Sequence, residues 1–376
     1  MKRMAATMPF SSVIVDDRNT AVLEPMDEAR QAPGRLRDKF GRAITDLRVS
    51  VTDRCNYKCV YCRTGNEGAY YTELPVVDYL RMARLFVSLG VEKVRLTGGE
   101  PLLRSGLVEM VRELATMRTA YLHDGSFAGE SGGGGLPLDI ALTTNGHLLE
   151  GLAQPLKDAG LNRVTVSMDA VDAETFAAIT RVPRSFDKVL AGIRKAQDVG
   201  LGPVKVNCVL LRGFNDGQIE QFAEFSRREG VIVRFIEWMP LEEDRSWKRE
   251  TVISMDEIVE RLNAFRPLVE LAPHAASETA KRFTFDDGVG EIGIVAPVSR
   301  PFCGHCSRVR LTSDGKIRTC LFSQSDHDLV GLMHRGASDD DMRSWVRGVI
   351  ERKEARHHIG EPGFLKPSRS MVHIGG

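Results

Sequence analysis

Short β-branched apolar runs alternate along this chain with longer segments whose apolar residues recur every three or four positions. The short runs are Leu47–Thr52, Lys93–Leu96, Asp139–Thr144, Arg163–Met168, Val204–Leu210 and Val231–Ile236, and each predicts a strand. Helical spacing occupies Pro75–Leu89, Leu107–Met117, Leu148–Ala159, Phe186–Val199 and Gln218–Arg228. Gly90, Gly160, Gly200 and Gly230 follow four of these segments, where a left-handed residue commonly ends a helix. Strand and helix in alternation predict βα units and a parallel sheet. About six units fall short of the eight of a closed TIM barrel, so the expected fold is α/β, an open, partial parallel βα barrel.

After Met239-Pro240 the rhythm changes. One helix, Met255–Phe265, is followed by strand patterns around Arg282–Phe285 and Glu291–Val295. The expected organisation is an N-terminal extension over 1–34, loosely docked or disordered, the barrel over 35–240, and a smaller C-terminal α+β region over 241–376. Tyr121 to Leu136 holds the run Gly132-Gly133-Gly134-Gly135 but lacks the G-x-x-x-x-G-K-S/T order of a phosphate loop. It reads as a surface insertion with no assigned function.

Charge narrows little. Lys plus Arg number 51 and Asp plus Glu number 51, so bulk charge gives no case for a nucleic-acid or membrane partner. No apolar run approaches the roughly 20 residues of a membrane span, and Met1 to Gln31 has no signal-type apolar core. A reducing cytoplasm is the expected location.

The seven cysteines change the picture. Cys55, Cys59 and Cys62 form C-x3-C-x2-C in the loop leaving the first strand, where a βα barrel carries its chemistry. Cys303, Cys306 and Cys320 form a second triplet, and Asp314-Gly315 between them reads as a hairpin turn. Cys208, inside a strand pattern, reads as a small buried hydrophobe. Clustered thiols in a chain without export signals favour metal ligation over disulfides. Three thiolates leave a coordination position open, which suits an iron–sulfur cluster better than a closed zinc site; zinc, with His305 or His327 completing the second triplet, stays as the alternative. His357 and His358 read as solvated.

Other strand ends carry polar groups. Thr97-Gly98-Gly99-Glu100-Pro101 follows the second strand, Thr143-Thr144-Asn145-Gly146 ends the third, and Ser167-Met168-Asp169 the fourth. Arg48, Lys93, Arg95, Lys205, Arg234, Arg308 and Arg310 lie on or beside strands. If they face inward together they repel one another unless an anion lies between them, and arginine suits bidentate contacts to phosphate.

C-x3-C-x2-C after strand one and Gly-Gly-Glu-Pro after strand two resemble the radical S-adenosylmethionine superfamily. Within it, Phe40-Gly41-Arg42, Arg48 to Cys55, Val94 to Pro101, Leu142 to Gly146, Val204 to Asn207, Arg234 to Met239, the Cys303–Cys320 block and the terminal Gly375-Gly376 resemble the GTP 3′,8-cyclases. The likeness spans about Arg37 to the end. It implies two 4Fe–4S clusters, on Cys55, Cys59 and Cys62 and on Cys303, Cys306 and Cys320, the second touching guanine. It also implies that Tyr61, Gly99, Thr143, Asn145, Ser167 and Met239 hold S-adenosylmethionine. Arg48 would act near both ligands, and Lys93, Arg95, Lys205, Arg234, Arg308 and Arg310 would bind GTP. The implied reaction takes the ribose 3′-hydrogen with a 5′-deoxyadenosyl radical, joins C3′ to C8, and yields 3′,8-cyclo-7,8-dihydro-GTP for molybdenum cofactor biosynthesis. Implied partners are a reductant such as flavodoxin or ferredoxin and the next enzyme, cyclic pyranopterin monophosphate synthase, with a homodimer compatible. Two other readings compete: a radical peptide maturase with an auxiliary cluster, and a non-catalytic iron–sulfur sensor.

Overall fold

The computed structural model describes residues 34–62, 70–121, 126–128, 135–242 and 246–375. The expected extension over 1–34, apart from Gly34, lies outside the described residues, as do most of the glycine-rich run and Gly376.

The first two thirds of the chain run β1 (Asp46–Ser50), α1 (Val76–Ser88), β2 (Lys93–Thr97), α2 (Leu107–Ala115), β3 (Asp139–Thr144), α3 (Leu149–Asp158) and β4 (Arg163–Ser167). Then come α4 (Ala173–Thr180), α5 (Phe186–Asp198), β5 (Lys205–Leu210), α6 (Ile219–Glu229) and β6 (Ile232–Glu237). The six expected strands are all present, displaced by a residue or so at their ends. Helix α4 was not expected. Its eight residues are too few to show a period, and its start is set by Asp172, whose carboxylate accepts from the Glu174 and Thr175 amides.

The remainder holds α7 (Met255–Phe265), β7 (Leu268–Leu271), β8 (Lys281–Phe285), β9 (Glu291–Val295), β10 (Arg308–Leu311), β11 (Lys316–Arg318) and β12 (His327–Asp328). It closes with α8 (Leu329–His334), α9 (Asp339–Glu351) and α10 (Met371–Ile374). All strands join one open sheet in the order β12-β11-β10-β1-β2-β3-β4-β5-β6-β9-β8-β7. β1 to β6 are mutually parallel, and β10 pairs parallel with β1 while β9 pairs parallel with β6. The curved parallel stretch is thus longer than the βα pattern alone predicts, because each flank is lengthened by a strand without a preceding helix of its own. Antiparallel β8 and β7 continue one side, β11 and β12 the other.

Register sorts the side chains cleanly. Arg48 stands opposite Arg310 on one side and Arg95 on the other. Thr143 meets Thr165, Thr165 meets Lys205, and Asn207 meets Arg234. All of these therefore share the concave face. The intervening residues, among them Leu47, Val94, Leu96, Ile140, Leu142, Val166, Val206 and Phe235, are fully buried on the other face, in the same core as the helices' apolar stripes. Truncating Leu47, Leu96, Ile140 or Leu142 to Ala would cost about 2–5 kcal/mol. One face is core; the other is polar and lines a hollow.

Candidate active site

The hollow consists of two neighbouring cavities that share Arg48, Thr143, Asn207, Arg234, Thr279 and Arg308 in their walls. One, of about 250 Å³, lies at the C-terminal ends of the strands and includes the first cysteine triplet. The other, of about 240 Å³, lies toward the N-terminal ends of the strands, where Asp46, Lys93, Arg163 and Lys205 join its lining.

The first triplet sits in the loop after β1. Its backbone is fastened to the end of α4, with the Lys58 amide donating to Thr180 O at 3.1 Å and the Val60 amide to Ile179 O at 3.0 Å. Tyr61, between two of the cysteines, donates its hydroxyl to Asp169 Oδ2 at 2.7 Å, and Asp169 Oδ1 accepts from the Val209 amide at 2.8 Å. Burial pushes the Asp169 carboxyl up to about 6. Burial also raises the Cys59 thiol, and Asp169, Cys62 and Cys55 add to this. A thiol raised by burial and by its neighbours in this way loses its proton most readily to a metal, which removes the repulsion.

The Gly-Gly-Glu-Pro segment has a role the sequence did not reveal. A side chain at Gly98 would lie 2.4 Å from Thr52 O, and one at Gly99 would lie 2.4 Å from Arg54 O. The glycines let this turn press against the backbone leading into the cysteine loop, sealed by Gly99 N to Thr52 O at 2.8 Å and Glu100 N to Arg54 O at 2.7 Å. Glu100 is fully buried. It accepts from Thr144 Oγ1 and the Asn145 amide at 2.6 Å each and from the Leu102 amide at 2.9 Å. It therefore braces the end of β3 against the turn that follows β2. Asn145 in turn donates to Asn56 Oδ1 at 2.7 Å, tying the third strand end to the cysteine loop.

Tyr61, Gly99, Thr143, Asn145, Ser167 and Met239 all line the upper cavity with the three cysteines. Lys93, Arg95 and Lys205 line the lower one, Arg48, Arg234 and Arg308 both, and Arg310 the upper. Within the lower cavity the cations differ in company. Lys93 lies 3.4 Å from Asp46 and 3.8 Å from Asp139, and Arg163 lies 2.5 Å from Asp139. Arg95 donates to Thr143 Oγ1 and Thr165 Oγ1 at 3.1 and 3.2 Å. Burial, then Arg234 and Arg163, lower the Lys205 ammonium to about 8. Burial and the same two arginines lower Arg95 to about 10, and burial with Arg308 lowers Arg310 to about 10. Cations held close enough to depress one another mark a place shaped for an anion.

The second triplet lies behind the upper cavity, whose wall includes its neighbours Phe302, Arg308 and Leu321. Burial raises the Cys306 thiol, but Arg308 and Lys353 outweigh it and bring the group down to about 6. Cys303 and Cys320 are raised, by burial first. Arg42 donates to Cys303 O at 2.8 Å, Ala355 O at 2.7 Å and Glu354 O at 2.6 Å, and is itself paired with Asp38. His305 is exposed, and His327 stands opposite Ile317 in the β11–β12 ladder. Among the described residues no three His, Cys, Asp or Glu side chains converge on a point that could hold one metal ion. His357, expected in solvent, packs against the Phe322 ring, with centroids 5.2 Å apart. His358 is exposed and pairs with Glu361 at 2.7 Å.

The chain's end also comes here. Met371 and Val372 line the upper cavity, and Arg310 donates to the Gly375 carbonyl. Gly375 has φ +80, and a side chain there would lie 2.9 Å from Ser50 Cβ and 3.0 Å from Thr97 Cγ2. Only glycine fits this wedge between the ends of β1 and β2. Arg369 fastens the tail to Asp314 at 2.8 and 2.9 Å.

Residues 49–226 match the Radical SAM superfamily and residues 231–359 match Molybdenum Cofactor Synthesis C. A GTP 3′,8-cyclase of Acidothermus cellulolyticus is 42% identical over 305 residues, covering 79% of this chain and 80% of the relative. One from Corynebacterium glutamicum is 41% identical over 371 residues, covering 96% and 93%. The chain belongs to the GTP 3′,8-cyclase family. The solved structure of Streptococcus suis SuiB bound to S-adenosylmethionine shares the fold, with a TM-score of 0.56 at 14% identity over 88% of this chain and 78% of that one. For a GTP 3′,8-cyclase family member, several residues outside the expected set sit at the site. Arg163 follows the inward alternation of β4 through Thr165 and Ser167, and the period-two rule applied to that strand would have found it. Arg42 and Asp169 fall in segments the sequence singled out, but their contacts, like those of Lys353, run to backbone or loops distant in sequence, and no local signal reveals those partners. Among the described residues, no helix is long and apolar enough to cross a membrane.

Proposed function

We propose that this chain converts GTP to 3′,8-cyclo-7,8-dihydro-GTP, the first step of molybdenum cofactor biosynthesis. The observation that carries the reading is the register placing Arg48, Arg95, Arg234 and Arg310 on the concave face beside a three-cysteine loop. Cys55, Cys59 and Cys62 would hold one 4Fe–4S cluster and Cys303, Cys306 and Cys320 a second. When bound, the first cluster and S-adenosylmethionine supply a 5′-deoxyadenosyl radical.

The chain's own work is positioning and exclusion. Tyr61, Gly99, Thr143, Asn145, Ser167 and Met239 hold S-adenosylmethionine in the upper cavity. Arg48, at the boundary of both cavities, contacts both ligands. Lys93, Arg95, Lys205, Arg234, Arg308 and Arg310 take the triphosphate and ribose, which fixes C3′ toward the upper cavity. The tail from Met371 to Gly375 covers the upper cavity against water. A flavodoxin or ferredoxin serves as reductant, a cyclic pyranopterin monophosphate synthase consumes the product, and a reducing cytoplasm suits so many thiols.

A peptide maturase shares the fold but gives the concave cations no counter-charge. The deciding experiment measures 5′-deoxyadenosine release by anaerobically reconstituted, reduced enzyme with and without GTP, alongside iron content. GTP-dependent release with a cyclised product and about eight irons per chain supports the reading. Release indifferent to GTP would move the substrate assignment to a peptide.

A further inference from the structure

The lower cavity contains a carboxylate that no part of the proposed reaction uses. The segment 272–280 joins β7 to β8, and His274, Ala275, Ser277, Glu278 and Thr279 from it form one wall of the chamber. Thr279 also reaches the upper cavity, and Glu278 and Thr279 both reach a third pocket on the other side of the same segment. The segment is thus a thin partition between the phosphate chamber and the exterior.

Glu278 lines that chamber together with Lys205 and Arg234, and its charge is the main one supporting both of them. Yet among the described residues neither cation has a carboxylate at ion-pair distance. The contrast is with Lys93 and Arg163, which are matched by Asp46 and Asp139. Glu278 is held by its own loop: its Oε2 accepts from the His274 amide at 2.8 Å, and its amide donates to Ala275 O at 2.9 Å. Both bonds stay within the loop, so the loop with its charge can shift as a unit. Ala272 to Ala276 are exposed, and the loop is tied to β8 at its start by Arg282 donating to Ala272 O at 2.8 Å, so little packing opposes a shift of the part beyond that tie.

We propose that Glu278 is a built-in competitor for the chamber's anion, supporting Lys205 and Arg234 while the chamber is empty and being displaced with its loop when a triphosphate binds. The proposal rests on the reading that a nucleoside triphosphate occupies this chamber. A carboxylate beside several cations eases their mutual repulsion, but the same carboxylate repels an incoming polyphosphate of about four charges. Its presence weakens binding and speeds release.

The test compares dissociation constants of GTP and of inorganic tripolyphosphate for the reconstituted enzyme, at fixed ionic strength, by equilibrium dialysis. Glu278→Gln and Glu278→Ala should each tighten both ligands by about fivefold or more, from one charge removed at moderate distance. Glu270→Gln, on the same hairpin but paired with Lys281 outside the chamber, should change neither. Unchanged or weaker tripolyphosphate binding in both Glu278 variants would overturn the proposal. If wild-type enzyme binds tripolyphosphate but not GTP, the substrate reading fails, while the variant ratio for tripolyphosphate still decides the role of Glu278. Binding of neither ligand overturns both.

Discussion

The guanidinium of Arg42 donates to the carbonyl oxygen of Cys303, 261 positions further along the chain. It also holds Ala355 O and Glu354 O and pairs with the buried Asp38. The segment before β1 therefore clamps the loop of the second cysteine triplet. Arg42→Ala leaves Asp38 Oδ2 and three carbonyl oxygens without their donor, while Asp38 Oδ1 keeps the amides of residues 40 and 42, at a cost of about 3 kcal/mol in stability. The iron content of reconstituted protein should fall from about eight toward about four per chain. Iron analysis and thermal unfolding check this; full iron with an unchanged melting point would remove the clamp role.

The two triplets should separate functionally. Cys55→Ala, Cys59→Ala or Cys62→Ala should abolish 5′-deoxyadenosine release. Cys303→Ala, Cys306→Ala or Cys320→Ala should retain part of that release while stopping cyclisation. Product analysis on the same samples reads both, and cyclisation by the second set would count against a substrate-binding role for that cluster.

Lys205 should make polyphosphate binding depend on pH. Burial, Arg234 and Arg163 bring its ammonium to about 8, with Arg95 also depressing it and Glu278 opposing them. An anion needs the charged form, so the dissociation constant should rise as pH passes upward through about 8. Lys205→Arg keeps its charge and should flatten the profile. Tripolyphosphate is the better probe, since guanine's own titration then plays no part. The sign for stability follows from the same shift. The folded-state value lies below the ordinary 10.5, so the unfolded chain holds more protons between the two. The penalty from this lysine is fully present below about 8 and lifts as pH rises toward 10.5.

The tail can be tested by removal. Deleting residues 371–376 takes Met371 and Val372 out of the cavity wall and frees Arg310 from the Gly375 carbonyl. We expect 5′-deoxyadenosine release to outrun cyclised product in the truncated enzyme, where the two keep pace in the intact one. A preserved ratio would show that the tail shields nothing.

The six βα units were legible in the sequence because each strand buries one face in a continuous core, which forces period two, and each helix buries a stripe. The cysteine triplets were legible because sulfur ligation has local spacing. What escaped was set by distance in the chain. The placement of β10 beside β1 leaves no mark on either strand, since a parallel partner imposes no residue type. The bracing role of Glu100 was not legible because a carboxylate beside two glycines looks the same whether it faces a ligand or Thr144 and Asn145. Helix α4 escaped for its shortness, although it anchors the first cysteine loop.

The placement of β10 and β9 on opposite flanks of the six-strand sheet bears on how the protein is made. A nascent chain that has emerged only as far as β6 exposes two bare strand edges, on β1 and on β6, together with a concave row of unshielded arginines. Such edges invite pairing with other chains, and contacts between segments so far apart form slowly. The barrel half therefore depends on the last third of the chain to cover both edges, and a fragment ending near residue 240 should aggregate on synthesis unless a chaperone holds it.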